Sequence, residues 1–324
     1  MLTQERELNY LKVIFFIFGF SIMSWLPRFP EVKDHLRLSN GEFGSLLSLG
    51  AIGNIFALLT VGHLVHKYGA KLIMQTAFLT LAISIIVLSH TSSSFIFVIF
   101  MILFCIGISA FHISINAQGF SFQDRNKKQV ITLLSGYWSS GALLTSVVAG
   151  ILVGLVSIEV HIASVAILSL MVMFRTISTM KPNLVKPNEN PESNLKLSET
   201  FKGFNFDMLV SGGLLCAIML EFAVGDWSAI LIKEDFKILS GIHTLPFILF
   251  TLSMIIGRLS FHKMLHRFSM QKLAKVAAIV SGTSFLIGIA AVSAIGTKSH
   301  ALTIVVLSIS FTFAGIGSHS LGRA

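Results

Sequence analysis

Runs of about 20 predominantly apolar residues recur along the whole sequence, and each is long enough to cross the ~30 Å hydrocarbon core of a bilayer. Charged residues make up 12% of the 324 residues, against roughly 25% in soluble domains. Runs of this length must be helical, because an open sheet would leave its backbone groups unsatisfied in lipid. The sequence therefore predicts an all-α integral membrane protein. Its ten predicted spans are residues 9–27, 43–64, 71–89, 94–118, 130–156, 160–180, 208–232, 242–261, 273–295 and 301–320.

The formal net charge is +9, which in a soluble protein would suggest nucleic-acid binding. Here the charge is better explained by basic residues kept in cytoplasmic loops. Placing the N-terminus inside puts about three-quarters of the 24 lysine and arginine residues on the cytoplasmic side. We therefore expect a multi-pass protein of the inner or plasma membrane with a cytoplasmic N-terminus, surrounded by the lipid bilayer and without a nucleic-acid partner.

The first span and the two cysteines add little further constraint. The first apolar run lacks a small-residue cleavage site, which favours a retained helix over a signal peptide. Cys105 and Cys216 both lie inside apolar runs, which favours packed thiols over a disulfide framework.

The longest loop, residues 180–205, holds three of the six prolines together with many Asn, Ser and Glu residues. This composition is typical of a flexible linker. The sequence thus predicts a six-helix N-terminal half at residues 1–180, a cytoplasmic linker at residues 181–206 and a C-terminal part of about four helices at residues 207–324.

The two parts of the chain resemble each other. D-x-x-x-L-S occurs at residues 34–39 and 235–240, and each copy follows a helix end that contains tryptophan, at Trp25 and Trp227. About one span later, GHLVHKYGAK (62–71) and GRLSFHKMLHR (257–267) each end a span with a basic turn. Three matches in one order indicate an internal repeat in parallel orientation, which is typical of transporters.

The first of those basic turns resembles the signature loop G-x-L-x-D-R-x-G-R-R of the major facilitator superfamily of secondary transporters. Gly62, Lys67, Gly69 and Lys71 match the pattern, and His66 stands in place of the usual Asp.

The second basic turn resembles the counterpart of that loop in the second half. Gly257, Arg258, Lys263 and Arg267 belong to it, and His262 again stands where Asp is usual. Both signature acids are thus replaced by histidine.

More narrowly, the chain resembles the branch of fucose-permease-like proteins and uncharacterised inner-membrane relatives. The stretches that carry this resemblance are W25-L-P-R-F-P, L38-S-N-G-E-F-G, N116-A-Q, G136-Y-W-S-S-G and E221-F-A-V-G-D-W-S. The resemblance implies a helical bundle of two pseudo-symmetric halves that alternates access to a central site. It further implies a sugar or another small metabolite as substrate, proton coupling as an option, a monomer, and no cofactor.

The family has twelve spans, whereas this sequence supports about ten, six before the linker and four after it. The resemblance therefore implies that spans eleven and twelve are missing and that the chain is truncated at its C-terminus. Surface on spans eight and ten would then be exposed.

Two acidic residues lie inside a predicted span, Glu221 near the middle of span seven and Asp226 near its outer end. An ionised acid at a helix centre costs about 2.5–3.5 kcal/mol on insertion scales, so we expect a function for it. Five residues of separation place the two acids about 140° apart around the helix. Glu221 is predicted to face the cavity, either as a proton-coupling site or as a hydrogen-bond partner of substrate hydroxyls. Asp226 either faces the cavity too or pairs with Arg28.

Span four carries His112 and Asn116 one turn apart on one face, and Ser109 joins that face. These residues either line the cavity or bond neighbouring helices, since polar side chains also hold membrane helices together. Nothing in the sequence supplies further ligands beside His112, so no metal is expected.

Aromatic and basic residues at two other span ends complete the candidate site. Trp25 and Arg28 end span one, where Arg28 could bind an anionic substrate group instead of Asp226. Tyr137 and Trp138 lie in span five, where their rings could stack on a sugar or serve packing alone.

The sequence favours a secondary active transporter of a small solute. A membrane enzyme is not expected, because the loops are short and carry no nucleophile–base pair or phosphate-binding glycine loop. The alternative is a truncated remnant or receptor-like relative that does not transport.

Overall fold

A computed structural model describes residues 4–128, 130–180, 208–238, 241–265 and 270–318, and within these ranges the side chains of 208–218, 258–265, 270–271, 273–274 and 317–318 are left undescribed. The described residues are helical without strands. The helices before the linker are α1 Gln4–Ile22, α2 Phe29–Leu36, α3 Asn40–Tyr68, α4 Ala70–His90, α5 Ser94–Asn126, α6 Ile131–Leu152 and α7 Ile158–Thr179. Those after it are α8 Met208–Glu234, α9 Leu245–Leu265, α10 Met270–Ile295 and α11 His300–Ser318.

Ten of these helices correspond to the ten predicted spans, which confirms the all-α membrane fold class. Seven helical segments in the described ranges are long and apolar enough to cross a membrane. Shorter apolar helices cover Gly241–Gly257 and His300–Ile316. The eight-residue α2 was not predicted, and it follows a 3-10 turn at Leu26–Arg28 that contains Pro27.

The ends of α3 show how local sequence sets a helix boundary. Ser39 and Glu42 form a capping box, in which each side chain binds the backbone N–H of the other residue. At the other end Gly69 has φ 81°, a backbone conformation that glycine adopts without steric cost. Because α4 begins at the next residue, Gly69 makes the turn between two long helices without a connecting loop.

The chain divides into two compact units. Unit 1 contains Met1–Ile22, Glu31–Gly141 and Ile158–Phe204, and unit 2 contains Met23–Pro30, Ala142–Ser157 and Asn205–Ala324. Unit 2 thus joins the segment that follows α1 and the C-terminal end of α6 to residues that follow the linker. The division at residues 181–206, predicted from the composition of the long loop, stays a prediction, and the linker lies outside the described residues.

Helix pairing is the same in the two units. In unit 1, α5 packs against both α3 and α4, and in unit 2, α11 packs against both α9 and α10. Gly53 brings α3 close to the Ile102 carbonyl of α5, and Gly315 brings α11 close to the Phe250 carbonyl of α9. This correspondence agrees with the internal repeat read from the sequence.

The D-x-x-x-L-S segments also share a backbone feature. Arg37 and Lys237 both adopt a left-handed conformation, with φ 54° and 57°. Arg37 directly follows its helix and is the fourth residue of its copy, whereas Lys237 lies three residues past its helix and is the third residue of its copy. Residues 239–240 of the second copy lie outside the described ranges.

Candidate functional site

In unit 1, α1 and α6 cross at two reciprocal glycine contacts. A Cβ atom at Gly19 would overlap the carbonyl oxygen of Trp138, and one at Gly141 would overlap the carbonyl oxygen of Phe16. Only glycine permits backbones to approach this closely. The crossing fixes the position of Tyr137, which lies one residue before Trp138.

An aromatic face lies along this crossing. Phe16 and Phe20 of α1 stack with 6.3 Å between ring centroids, and the Tyr137 ring is 37% exposed. The Lys12 ammonium lies 5.7 Å from the centroid of the Tyr137 ring and donates a hydrogen bond of 3.2 Å to Asn9 Oδ1. The prediction placed Tyr137 at the site but counted Lys12 only as a basic residue at the cytoplasmic end of span one. Lys12, Phe16 and Phe20 follow one another at intervals of four residues, and this spacing was the sequence signal for a shared helix face.

A polar face lies on α5. The exposed His112 ring stacks on Phe18 at 6.2 Å, and the Asn116 side-chain amide donates to the His112 carbonyl oxygen at 2.8 Å. This bond leaves the Asn116 Oδ1 oxygen as an acceptor on the helix surface. The Ser109 hydroxyl donates to Asn54 Oδ1 of α3 at 2.8 Å. The sequence predicted the His112 face but not the bond from Ser109 to Asn54.

Trp25 and Arg28 are both buried in unit 2, each at or below 1% exposure. The Trp25 ring meets Phe29 edge-on at 4.7 Å. Arg28 Nη2 donates to the Val156 carbonyl oxygen at 2.8 Å, so the guanidinium joins the turn after α1 to the segment after α6. A buried guanidinium needs such acceptors, because burying a charge without them is costly.

The two acids of span seven lie on α8 in unit 2, and both are half-buried. Between them, Gly225 lies beside the Leu26 side chain of the turn after α1. Among the contacts of the described residues there is no salt bridge between Asp226 and Arg28, which had been one of two predicted roles for this acid. One acceptor of Arg28 is the Val156 carbonyl oxygen, and the role of Asp226 stays a prediction.

The signature loop between α3 and α4 has one clear structural role. Lys71 donates to the carbonyl oxygens of Met180 at 2.5 Å and Ser178 at 3.5 Å. It thereby caps the C-terminal end of α7, whose last carbonyl groups lack partners within the helix.

Three other residues of this loop, Gly62, His66 and Lys67, are exposed. The Lys67 ammonium lies 5.2 Å from the neighbouring Tyr68 ring, while His66 makes no hydrogen bond or ion pair with any described residue. Gly62 has open space around its Cβ position.

The second signature loop is only partly described. Gly257 lies against the Ile316 carbonyl of α11. The side chains of Arg258, His262 and Lys263, and all of Arg267, lie outside the described residues.

Comparison with known proteins identifies the family. A family model described as Major Facilitator Superfamily matches residues 12–322. The chain belongs to this superfamily. The resemblance stated from the signature loops is therefore confirmed.

Two curated proteins are similar to the chain in sequence. A membrane protein of Rhizobium meliloti named MosC is 23% identical over 247 residues, which are 76% of this chain and 59% of that protein. An uncharacterised MFS-type transporter of Yersinia pestis is 21% identical over 284 residues, 86% of this chain and 71% of that protein. The chain thus spans about three-fifths of the Rhizobium relative.

Solved structures of transporters share the fold. The nucleoside transporter NupG superposes with a TM-score of 0.72 at 14% identity, over 97% of this chain and 80% of that one, and a point mutant of NupG superposes with 0.74. The human organic anion transporter MFSD10 superposes with a TM-score of 0.55 at 16% identity, over 99% and 91% of the two chains.

Proposed function

We propose that this superfamily member is a secondary active transporter that moves a small solute, a sugar or a similar metabolite, by alternating access. The observation that carries the proposal is a closed end within unit 2. There the turn at Leu26–Arg28 packs against α8, and the C-terminal end of α6 packs against residues 241–244. Both partners follow the linker. Alternating access requires contacts between the two parts of a chain that form and break at one end of the bundle.

Glycines and apolar side chains together build the closed end. A Cβ atom at Gly241 would overlap the carbonyl oxygen of Gly150, and one at Gly150 would overlap Thr244 Oγ1, so glycine allows close approach there. Met23 and Leu26 pack against the hydrophobic core of unit 2. With the N-terminus in the cytoplasm, as the sequence predicts, this end faces the outside.

The aromatic and polar faces of unit 1 support the choice of solute. Tyr137, Phe16 and Phe20 offer rings on which the apolar face of a sugar can stack. The His112 ring and the side-chain Oδ1 oxygen of Asn116 offer hydrogen bonds to hydroxyl groups. Two structural neighbours are described as transporters of nucleosides and of organic anions, so a ring-bearing metabolite lies within the range that this fold carries.

Glu221 is our candidate for proton coupling. It is half-buried in α8, two turns from the buried Ser228, and a carboxyl group held away from water can exchange a proton during the transport cycle. Its alternative role is a hydrogen-bond partner of solute hydroxyls, without proton movement.

Reconstitution tests the proposal. The full chain in proteoliposomes, loaded with unlabelled solute, is assayed for counterflow of labelled glucose, fucose, uridine and glucuronate, with protein-free liposomes as control. We expect saturable counterflow of at least one solute. Saturable binding without counterflow would favour the receptor-like alternative, and absence of both would contradict the proposal.

A further inference from the structure

We infer that Lys12 and Tyr137 form a subsite for an anionic group of the solute, a carboxylate or a phosphate. The subsite lies in unit 1 where the N-terminal part of α1 meets α6. The inference rests on the proposed transport function and narrows it, because it makes the solute an acidic metabolite rather than a neutral sugar.

The charge of Lys12 is balanced by no carboxylate in the described part of the chain. Its two described partners, Asn9 Oδ1 at 3.2 Å and the Tyr137 ring at 5.7 Å, are both neutral. The nearest buried acid on the same helix is Glu7, which forms an ion pair with Arg125 at the end of α5. Lys12 is half-buried near the cytoplasmic end of span one, and a lysine within a membrane span often pairs with an acid or marks a substrate pathway.

The ammonium has unused hydrogen-bonding capacity. A lysine carries three N–H donors, and a single hydrogen bond, to Asn9, is formed among the described residues. The ring of Tyr137 holds the cation over its face without consuming a lone-pair acceptor. An incoming carboxylate or phosphate oxygen can therefore accept from Lys12 while the ring keeps the ammonium in place.

The position of Lys12 suits one end of a small ring-bearing solute. Lys12, Phe16 and Phe20 follow one another at four-residue intervals, so they lie within about 80° of one face of α1. Eight residues of helix span about 12 Å, which accommodates a sugar ring on the phenylalanine side with its acidic group on the lysine side. Both phenylalanines are half-buried, and they stack on each other.

A second lysine–tyrosine pair provides a matched control. Lys67 lies 5.2 Å from the Tyr68 ring, but both residues are exposed on the signature loop, away from any aromatic face. If Lys12 only extended its ammonium towards water, as lysines near membrane surfaces do, replacing either lysine would have the same small effect on solute binding. If Lys12 belongs to a subsite, only its replacement will weaken the binding of an acidic solute.

The test compares three probes that differ at one carbon: D-glucuronate, D-glucose 6-phosphate and D-glucose. Their binding to the full chain in detergent is followed by intrinsic fluorescence, since Trp138 adjoins Tyr137. We expect at least one acidic probe to bind about ten-fold more tightly than glucose. Lys12→Gln should remove this preference, whereas Lys12→Arg and Lys67→Gln should keep it.

Three outcomes would overturn the inference: equal binding of acidic and neutral probes, a preference that survives Lys12→Gln, or no saturable binding of any probe. The proposed function is judged separately by counterflow. Counterflow of neutral sugars alone would refute the anionic subsite and leave the transporter standing. Binding of an acidic probe that depends on Lys12, without counterflow of any solute, would support the anionic subsite and refute the transporter.

Discussion

The Arg28 guanidinium donates a hydrogen bond of 2.8 Å to the Val156 carbonyl oxygen, across 128 residues of sequence. The bond joins the turn that ends α1 to the segment that follows α6, and Arg28 is fully buried. Near it, Gly150 of α6 lies against Thr244, and Leu26 lies against Gly225 of α8. Arg28 thus stabilises the closed end of unit 2, on which the proposed function rests.

Replacing Arg28 with Ala should destabilise the protein by about 1–3 kcal/mol, because the part-buried bond to the Val156 carbonyl is lost. Thermal unfolding in detergent measures the effect. Arg37→Ala is the matched control, since Arg37 is exposed and ends α2 with a left-handed backbone. Equal unfolding temperatures for the two variants would show that the bond to Val156 contributes nothing.

The crossing of α1 and α6 should tolerate a methyl group at one glycine of α6 and not at another. A Cβ at Gly141 would overlap the Phe16 carbonyl, whereas Gly136 has nothing within 4 Å of its Cβ position. Gly141→Ala should cost about 1–3 kcal/mol through overpacking, and Gly136→Ala should gain up to about 1 kcal/mol from helix propensity. Unfolding temperatures that shift in the same direction would contradict the close approach.

Lys71 should matter more than its neighbour in the signature loop. Lys71→Ala removes the donor to Met180 and Ser178 at the end of α7, at an expected cost of about 1 kcal/mol. Lys67→Ala removes only an exposed ring contact, which should change stability by less than about 0.5 kcal/mol. Hydrogen exchange at the C-terminal turn of α7 measures the difference, and unchanged exchange in Lys71→Ala would refute the capping role.

Glu221→Gln should separate its two proposed roles. As a proton-coupling group, Glu221 would make solute uptake respond to an imposed pH gradient, and the variant would lose this response while keeping counterflow. As a hydrogen-bond partner, it would leave the response intact and weaken solute binding. Uptake with and without the gradient, with Asp226→Asn as comparison, decides between them, and an unchanged gradient response in Glu221→Gln excludes coupling through this residue.

Hydropathy located the helices well, but it missed where some of them end beyond their apolar segments. Span 71–89 corresponds to Ala70–His90, whereas span 94–118 belongs to a helix that continues to Asn126. Five of the eight extra residues are polar, among them Asp124 and Arg125, so hydropathy does not mark this end. The helix ends where Lys127 takes a left-handed conformation at φ 52°. Apolar length thus reports what crosses lipid, while capping decides where the helix stops.

The site was only partly predictable for a different reason. Residues on one helix, such as His112 and Asn116, could be placed together by their spacing, and the structure keeps them on one face. Lys12 and Tyr137 lie 125 positions apart in the sequence, and no pattern joined them. The partner of Arg28 was equally hidden, because its acceptor is a backbone carbonyl, a group that every residue carries.

The most direct test of alternating access is a reversible disulfide cross-link across the closed end. An ideal Cβ at Gly150 would lie 3.4 Å from Thr244 Cβ, near the roughly 3.8 Å separation of disulfides. The test variant carries Gly150→Cys and Thr244→Cys with Cys105 and Cys216 replaced by Ala, and the two single-cysteine variants serve as controls. Counterflow of the solute with the highest uptake is measured after oxidation and again after reduction. We predict that oxidation stops counterflow in the double variant alone and that reduction restores it, whereas undiminished counterflow in the fully cross-linked protein would contradict the account.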